Sequence, residues 1–393
     1  MEEAVGDRGE GLRSYVLSQI RAKGPIPFSQ FMEWCLYHPK CGYYRGGKAE
    51  IGKEGDFYTS PSVHPLFGRI LAKQILQMSE VLGGRIFDVV EVGGGKGFLC
   101  QDILDWAKED APLFYQRLRY YLLETSPAFL QEQKDRLVRH NKGGKIIWID
   151  PTRFTEGRGW IEGCILSNEV VDAFPVHRVV LQQGKLKELY VAEKDGEFLE
   201  EWNDPSDPRI DSYIKSLPSL LEEGQKAEVN LRALDWMEEV ARNLRKGFAL
   251  TIDYGFPAHE LYSPHRSEGT LLCYYQHRVS ENPYERVGEQ DITSHVNFTS
   301  LIRKGEEEGL MLTGLVPQYR FLFGLGLLEE TELLGKRSSE VEAIRMRLSI
   351  KHLIEPETGM GEVFKVLIQH KGIEKPHLDG LKDLGAMTLT NDQ

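Results

Sequence analysis

The chain lacks any apolar run long enough to cross a bilayer as a helix, so no membrane span or membrane partner is expected. It also lacks an apolar leader core. Met1 to Asp7 is acidic, with neither the hydrophobic centre of a secretory signal nor the arginines of a transit peptide, and a cytoplasmic location is the expectation. Positive charge is in deficit as well: 48 Lys and Arg stand against 60 Asp and Glu, a formal net charge of −12. Proteins that grip phosphate backbones need a basic surface, so nucleic acid is not an expected partner. The locally basic Lys134 to Lys145 reads as a solvated helix end and turn. Cysteine is sparse. Cys35, Cys41, Cys100, Cys164 and Cys273 are odd in number and none are paired at C-x-x-C spacing, so neither a disulfide framework nor a zinc site is indicated. Repeats and low-complexity tracts are missing too.

What remains is a globular balance, 41% hydrophobic and 27% charged over 393 residues, enough for one enlarged domain. Two helices are expected between Leu12 and Tyr37, broken at Gly24-Pro25-Ile26-Pro27, and a long helix over Pro65 to Leu82. Strands then alternate with helices: Ile86–Val92, Tyr120–Leu123, Ile146–Ile149, Gly163–Leu166 and, much later, Phe248–Ile252. Helices fall at Phe98–Lys108 and Ala128–His140. A hairpin (His177–Gln182, Lys187–Ala192) and helices near 211–221 and 231–244 follow the fourth strand. Closing strands are expected at Leu310–Val316 and Glu362–His370, with helices around 322–334 and 339–353 between them. The outline is an α/β, Rossmann-like core. Residues 1–60 form a helical extension and lid, 61–393 the core, with insertions at about 176–230 and 256–298.

Glu91-Val92-Gly93-Gly94-Gly95-Lys96-Gly97 ends the first strand and opens a helix, where glycines let backbone turn sharply and approach a ligand. A Walker A loop fails because Lys96 is followed by Gly97, and the G-x-G-x-x-G dinucleotide fingerprint fails because the third glycine comes one place early. A methionine-derived nucleoside, S-adenosylmethionine, remains. Its amino-acid tail and ribose would face Glu91, Gly93, Gly95 and Gly97. Glu124, ending the second strand, offers two oxygens to the ribose hydroxyls, though nicotinamide enzymes carry an acid there too. Asp150, ending the third strand, is placed for the adenine amino group, and Asn168 for cofactor or a substrate amide.

Glu169 and Asp172 follow the fourth strand, where ligands gather in parallel sheets, and Asp253 and Tyr254 close the fifth. The bland reading of the first segment is a helix start with Asn168 as its cap. Asp56, Thr59 and Ser60 are candidates for a lid over the cofactor, or for a turn before the long helix. His177, His277 and His295 lack metal-ligand spacing and read as structural hydrogen-bonders, and Trp148 and Phe174 as core.

Ser167-Asn168-Glu169-Val170-Val171-Asp172-Ala173-Phe174-Pro175 resembles the MidA-like family, which includes mitochondrial complex I assembly-factor methyltransferases and bacterial relatives. So do Gly55-Asp56-Phe57-Tyr58-Thr59-Ser60-Pro61, the glycine loop, Ile252-Asp253-Tyr254-Gly255, Gly269-Thr270-Leu271 and Asp291-Ile292-Thr293-Ser294-His295-Val296-Asn297-Phe298. The likeness runs from about Pro27 to His370. It implies a class I methyltransferase fold, S-adenosyl-L-methionine as cofactor and, for the mitochondrial branch, arginine in a partner protein as acceptor. Three positions depart from the pattern: Ser62 for an acid, Cys273 for glycine and Asn297 for aspartate. In an arginine methyltransferase, Glu169, Asp172 and Asp253 are the candidate catalytic carboxylates, able to orient a guanidinium and take its proton. The alternatives are an assembly chaperone that keeps the fold without transfer and, disfavoured by glycine spacing, a nicotinamide oxidoreductase. The insertions offer surface for a protein partner or a second copy in a homodimer.

Overall fold

Seven strands run through the centre of the molecule: β1 (Phe87–Val92), β2 (Leu118–Leu123), β3 (Ile146–Trp148), β4 (Ile161–Asn168), β5 (Leu244–Phe256), β6 (Met311–Pro317) and β7 (Phe364–Lys371). This computed structural model describes residues 8–45, 64–217, 221–336, 339–355 and 361–383. The strand order is β6-β7-β5-β4-β1-β2-β3, with Val296–Asn297 added beside β5. Strands β1 to β5 are mutually parallel, and β7 runs antiparallel between β5 and β6. That is the Rossmann-like sheet of class I methyltransferases.

All six residues of β1 are buried, as a strand covered on both faces requires. The helices used below are α1 (Arg8–Lys23), α2 (Phe28–Tyr37), α3 (Leu66–Val81), α4 (Phe98–Asp110), α5 (Pro127–Arg136) and α6 (Leu231–Asn243). Leu66, Phe67, Ile70, Leu71 and Ile75 of α3 join Leu99, Ile103 and Leu104 of α4 on one face. Trp236, Met237 and Val240 of α6 cover the other, against Val90, Ile165 and Ala249. With both faces taken, the stripe Leu12, Val16, Ile20 of α1 is buried elsewhere. It enters a third core with α2, with Leu189 and Val191, and with Cys273 and Ile292. Ile26–Pro27 pairs antiparallel with Lys185–Lys194 in the same unit. The N-terminal helices and the two stretches read as separate insertions therefore share one core.

Some elements differ from the sequence reading. Strand β5 spans 13 residues rather than five, since β4 and β7 flank most of its length. The helix expected over 128–140 breaks at Leu137, and that over 322–334 is two helices, Gln318–Gly324 and Leu327–Gly335, parted at Gly326 with φ +81°. No helix among the described residues is long and apolar enough to cross a membrane.

The chain leaves β1 toward β2 on one side and later returns to β4 on the other. Such a switch opens a crevice at the strands' C-terminal ends. Its walls depend on close strand approach lower in the sheet, where Asp88, Gly163 and Gly247 stand in register. A Cβ on Gly163 would collide with the Asp88 backbone. Gly163→Ala is therefore expected to cost about 3 kcal/mol or more. A urea midpoint equal to that of the unaltered protein would contradict this packing.

Candidate active site

The ends of β1, β2, β4 and β5 open into one cavity of about 1070 Å³. Gly93, Gly95 and Gly97 all adopt left-handed backbone, with φ of +67°, +50° and +80°, a region other residues enter only at a cost. A Cβ on Gly93 would lie 2.8 Å from Val170 Cγ2. Gly93 and Gly95 line the cavity, whereas Gly97 turns the chain into α4. The loop is clamped from α5. Gln133 Nε2 donates to Gly95 O at 2.8 Å while its Oε1 accepts from Trp148 Nε1 at 3.1 Å. Arg136 Nε donates to Lys96 O at 2.9 Å, its guanidinium 3.7 Å from the Phe98 ring centroid. Neither residue is foreseen from the sequence, because polar side chains in an ordinary helix carry no local signal.

Glu124 stands where expected. Its carboxylate accepts from Gly95 N at 3.1 Å, Thr125 N at 2.7 Å and Ser126 N at 2.8 Å. A carboxylate has roughly four acceptor positions, so one stays open for a ligand hydroxyl. Burial pushes Glu124 up to about 7 against the pull of those N–H groups. Glu91, beneath the loop, is raised to about 7 by burial and accepts from the Tyr120 hydroxyl at 2.6 Å. Asn168 lines the cavity and donates to Glu169 Oε1 at 2.9 Å. Asp150, expected at the adenine amino group, lies outside the cavity wall. Its exposed carboxylate caps the short helix Pro151–Thr155, accepting from Thr152 N at 2.9 Å, and only its neighbours Pro151, Phe154 and Thr155 line the cavity. A helix start within reach outcompetes a distant ligand for such a side chain. Thr59 and Ser60, with Asp56 and Ser62, lie outside the described residues.

The loop after β4 is held in an unusual shape. Glu169 has φ +54°, costly for a residue with a side chain. The cost is offset by Asp253, whose Oδ2 accepts from Val170 N at 3.2 Å, Val171 N at 2.9 Å and Asp172 N at 3.3 Å. Its Oδ1 accepts from Tyr254 N at 2.9 Å, and the residue is fully buried. Asp253, expected among the catalytic carboxylates, is thus absent from the cavity wall and committed to backbone. It shapes the loop that carries Glu169 and Asp172. Glu169 and Asp172 do line the cavity. Burial pushes Asp172 up to about 6, partly countered by a hydrogen bond from the Tyr254 hydroxyl, and its Oδ1 has no partner.

The histidines divide. His295 lines the cavity, lowered to about 4 by burial and by Arg266, and is neutral. His277 lies on the rim, and His177 pairs with Glu188 at 2.6 Å away from the site. Phe174, read as core, also forms cavity wall, edge-on to Trp236, which stacks on Phe154 with centroids 5.4 Å apart. Trp148 packs against the core as expected. Two of the three departures from the family pattern fall outside the cavity lining. Asn297 caps the helix Phe298–Glu307 and donates to the Tyr213 hydroxyl at 2.8 Å, and Cys273 is buried in the third core.

Over residues 70–316 the sequence matches the family described as "Putative S-adenosyl-L-methionine-dependent methyltransferase". The chain belongs to that family. Among solved structures it is similar to a Burkholderia thailandensis protein crystallised with S-adenosyl-homocysteine, at 31% identity and a TM-score of 0.84, covering 95% of each chain. Among curated proteins it is 28% identical to the Drosophila melanogaster "Protein arginine methyltransferase NDUFAF7 homolog, mitochondrial", over 96% of this chain and 88% of that one. The human "Protein arginine methyltransferase NDUFAF7, mitochondrial" is 25% identical, over 92% and 84%. The chain is thus an S-adenosylmethionine-dependent methyltransferase, and the glycine cradle and Glu124 fit that cofactor. These names overturn the cytoplasmic expectation, since the relatives are mitochondrial proteins. The acidic character of the opening residues does not fix a compartment.

If Asp253 positions the β4 loop, Asp253→Ala should destabilise the fold by about 2–4 kcal/mol, because buried N–H groups lose their acceptor. Turnover should fall further than S-adenosyl-homocysteine affinity. Parallel losses in calorimetry and in methyl transfer would instead point to general collapse.

Proposed function

We propose that the chain methylates arginine in a protein acceptor, with Glu169 and Asp172 as its catalytic residues. The observation that carries this reading is Asp172, a carboxylate sunk in the cavity wall with one oxygen lacking a partner. A buried carboxylate of that kind calls for a cationic, hydrogen-bond-donating ligand. The wider cavity agrees, with Glu33, Glu91, Glu124, Glu239 and Asp291 also in its lining. The names of the curated relatives support the same acceptor.

S-adenosylmethionine, when bound, supplies an electrophilic methyl on a sulfonium sulfur. The residues present the acceptor to it. A guanidinium is a poor nucleophile because its lone pairs are delocalised and its pKa exceeds 12. Asp172 and Glu169 orient its plane, localise its charge on the nitrogens distant from the reaction and accept the proton that the attacking nitrogen gives up as it gains carbon. Held against the glycine loop and Glu124, the cofactor would supply that methyl to the guanidinium nitrogen, its sulfur–carbon bond electrons staying with sulfur. Alignment and exclusion of water supply most of the rate.

Asp172 works only when ionised, and its folded value of about 6 lies above that of a free aspartate. Methyl transfer should therefore be level above pH 6 and fall roughly tenfold per unit below it. Asp172→Asn should lose about 10²–10⁴ in kcat and this acid limb, while S-adenosyl-homocysteine still binds. The deciding assay incubates the enzyme and radiolabelled S-adenosylmethionine with a protein extract, then hydrolyses the labelled polypeptide. Methylarginine is the expected product; label on lysine or on small molecules alone would refute the acceptor assignment.

A further inference from the structure

The cavity that holds the glycine loop and Glu124 is also lined by four tyrosines, Tyr37, Tyr44, Tyr254 and Tyr274, grouped around Asp172 and Asp291. Each ring is half-buried, so it is open to the cavity and still held by packing. Tyr37 and Tyr44 stack with centroids 5.6 Å apart and planes at 25°. Two of their hydroxyls are tied down: Tyr37 donates to Ala173 O at 3.0 Å and Tyr44 to Asp291 Oδ1 at 2.8 Å. Behind the rings stand the buried carboxylates of Asp172 and Asp291.

The lysine and arginines among the described lining residues have partners of their own. Lys96 belongs to the glycine loop, Arg45 reaches Thr125 O at 3.4 Å, and Arg232 pairs with Glu239 at 3.0 Å. His295, the base beside Tyr254, is neutral. Aromatic faces backed by carboxylates attract a flat, weakly hydrated cation, and a guanidinium stacks on such rings better than an ammonium does. A cavity of 1070 Å³ also exceeds the roughly 300–1,000 Å³ typical of a single small ligand. There is room for an acceptor side chain beside a nucleoside.

We propose that this tyrosine-lined part of the cavity is the acceptor site, with Tyr37, Tyr44, Tyr254 and Tyr274 holding a guanidinium over the carboxylates of Asp172 and Asp291. Only Tyr254 comes from the parallel sheet. Tyr37 ends α2, Tyr44 follows it, and Tyr274 and Asp291 belong to the antiparallel strands Leu272–Tyr275 and Asp291–Thr293. The N-terminal extension and the insertion after β5 thereby gain a function, recognition of the methyl acceptor. The inference rests on the arginine reading above.

Its test needs no knowledge of the natural acceptor. The full-length protein, saturated with S-adenosyl-homocysteine, is titrated by NMR with butylguanidinium, with butylammonium and with the neutral isostere butylurea. The expected result is saturable binding of butylguanidinium, at least about tenfold tighter than the other two. Tyr44→Leu and Tyr274→Leu, on separate elements, should each weaken it about tenfold with S-adenosyl-homocysteine affinity unchanged. Equal binding of all three probes, tighter binding of butylammonium, or leucine variants that bind like the parent would overturn the proposal. The probe series on the unaltered protein decides the matter even if a variant fails to fold. Methylarginine found in the extract assay while butylguanidinium ignores the tyrosines would sink this site and leave the arginine reading standing.

Discussion

The shape of the loop after β4 depends on one buried carboxylate that lies outside the cavity wall. Asp253 gathers three consecutive N–H groups of the segment after β4 and, through them, holds Glu169 in a backbone region it would not otherwise occupy. Consecutive N–H groups converge on one oxygen only if the chain bends tightly around it, and the bend turns Glu169 and Asp172 toward the cavity. Asp253 is held at the end of β5, between β4 and β7, so the rigidity of the sheet passes directly to the loop that carries Glu169 and Asp172. A negative charge so deeply placed is itself costly. Burial and the nearby Asp172 push its carboxyl well above the usual range, and the backbone donors are what keep the arrangement together.

The same logic governs the cofactor side with opposite chemistry. There the backbone is bent by glycines, and side chains from α5 reach back to hold it. Gln133 is buried and satisfied at both ends, which makes it a fixed strut between the glycine loop and Trp148. One loop is shaped by the absence of side chains and braced from outside; the other carries side chains and is braced from beneath. Both converge on the switch between β1 and β4, where the sheet leaves space.

Much of the core was legible because its signals are local. The glycine run, the alternating apolar strands and the acid ending β2 announce themselves within a few residues, and the long motif after β4 pointed to the family. What the sequence concealed was long-range. Asp150 and Asp253 are both acids at strand ends, and nothing in their neighbourhoods says that one caps a helix while the other disappears beneath a loop. Gln133 and Arg136 sit on a polar helix with no mark of their purpose. Likewise Phe174 reads as core from its flanking residues, and only the placement of Trp236, far along the chain, leaves it on a cavity wall. The substitution at Asn297 looked chemically consequential in the sequence. In the fold it is a helix cap bonded to Tyr213, outside the cavity lining.

The third core joins α1 and α2 to segments from two later parts of the chain, and Tyr37 and Tyr44 of the cavity wall pack against it. Packing changes there propagate within that unit, while the parallel sheet keeps its own two cores. Such a division lets one wall of the cavity be recut by repacking a single core, much as a tool keeps its handle and exchanges its jaw.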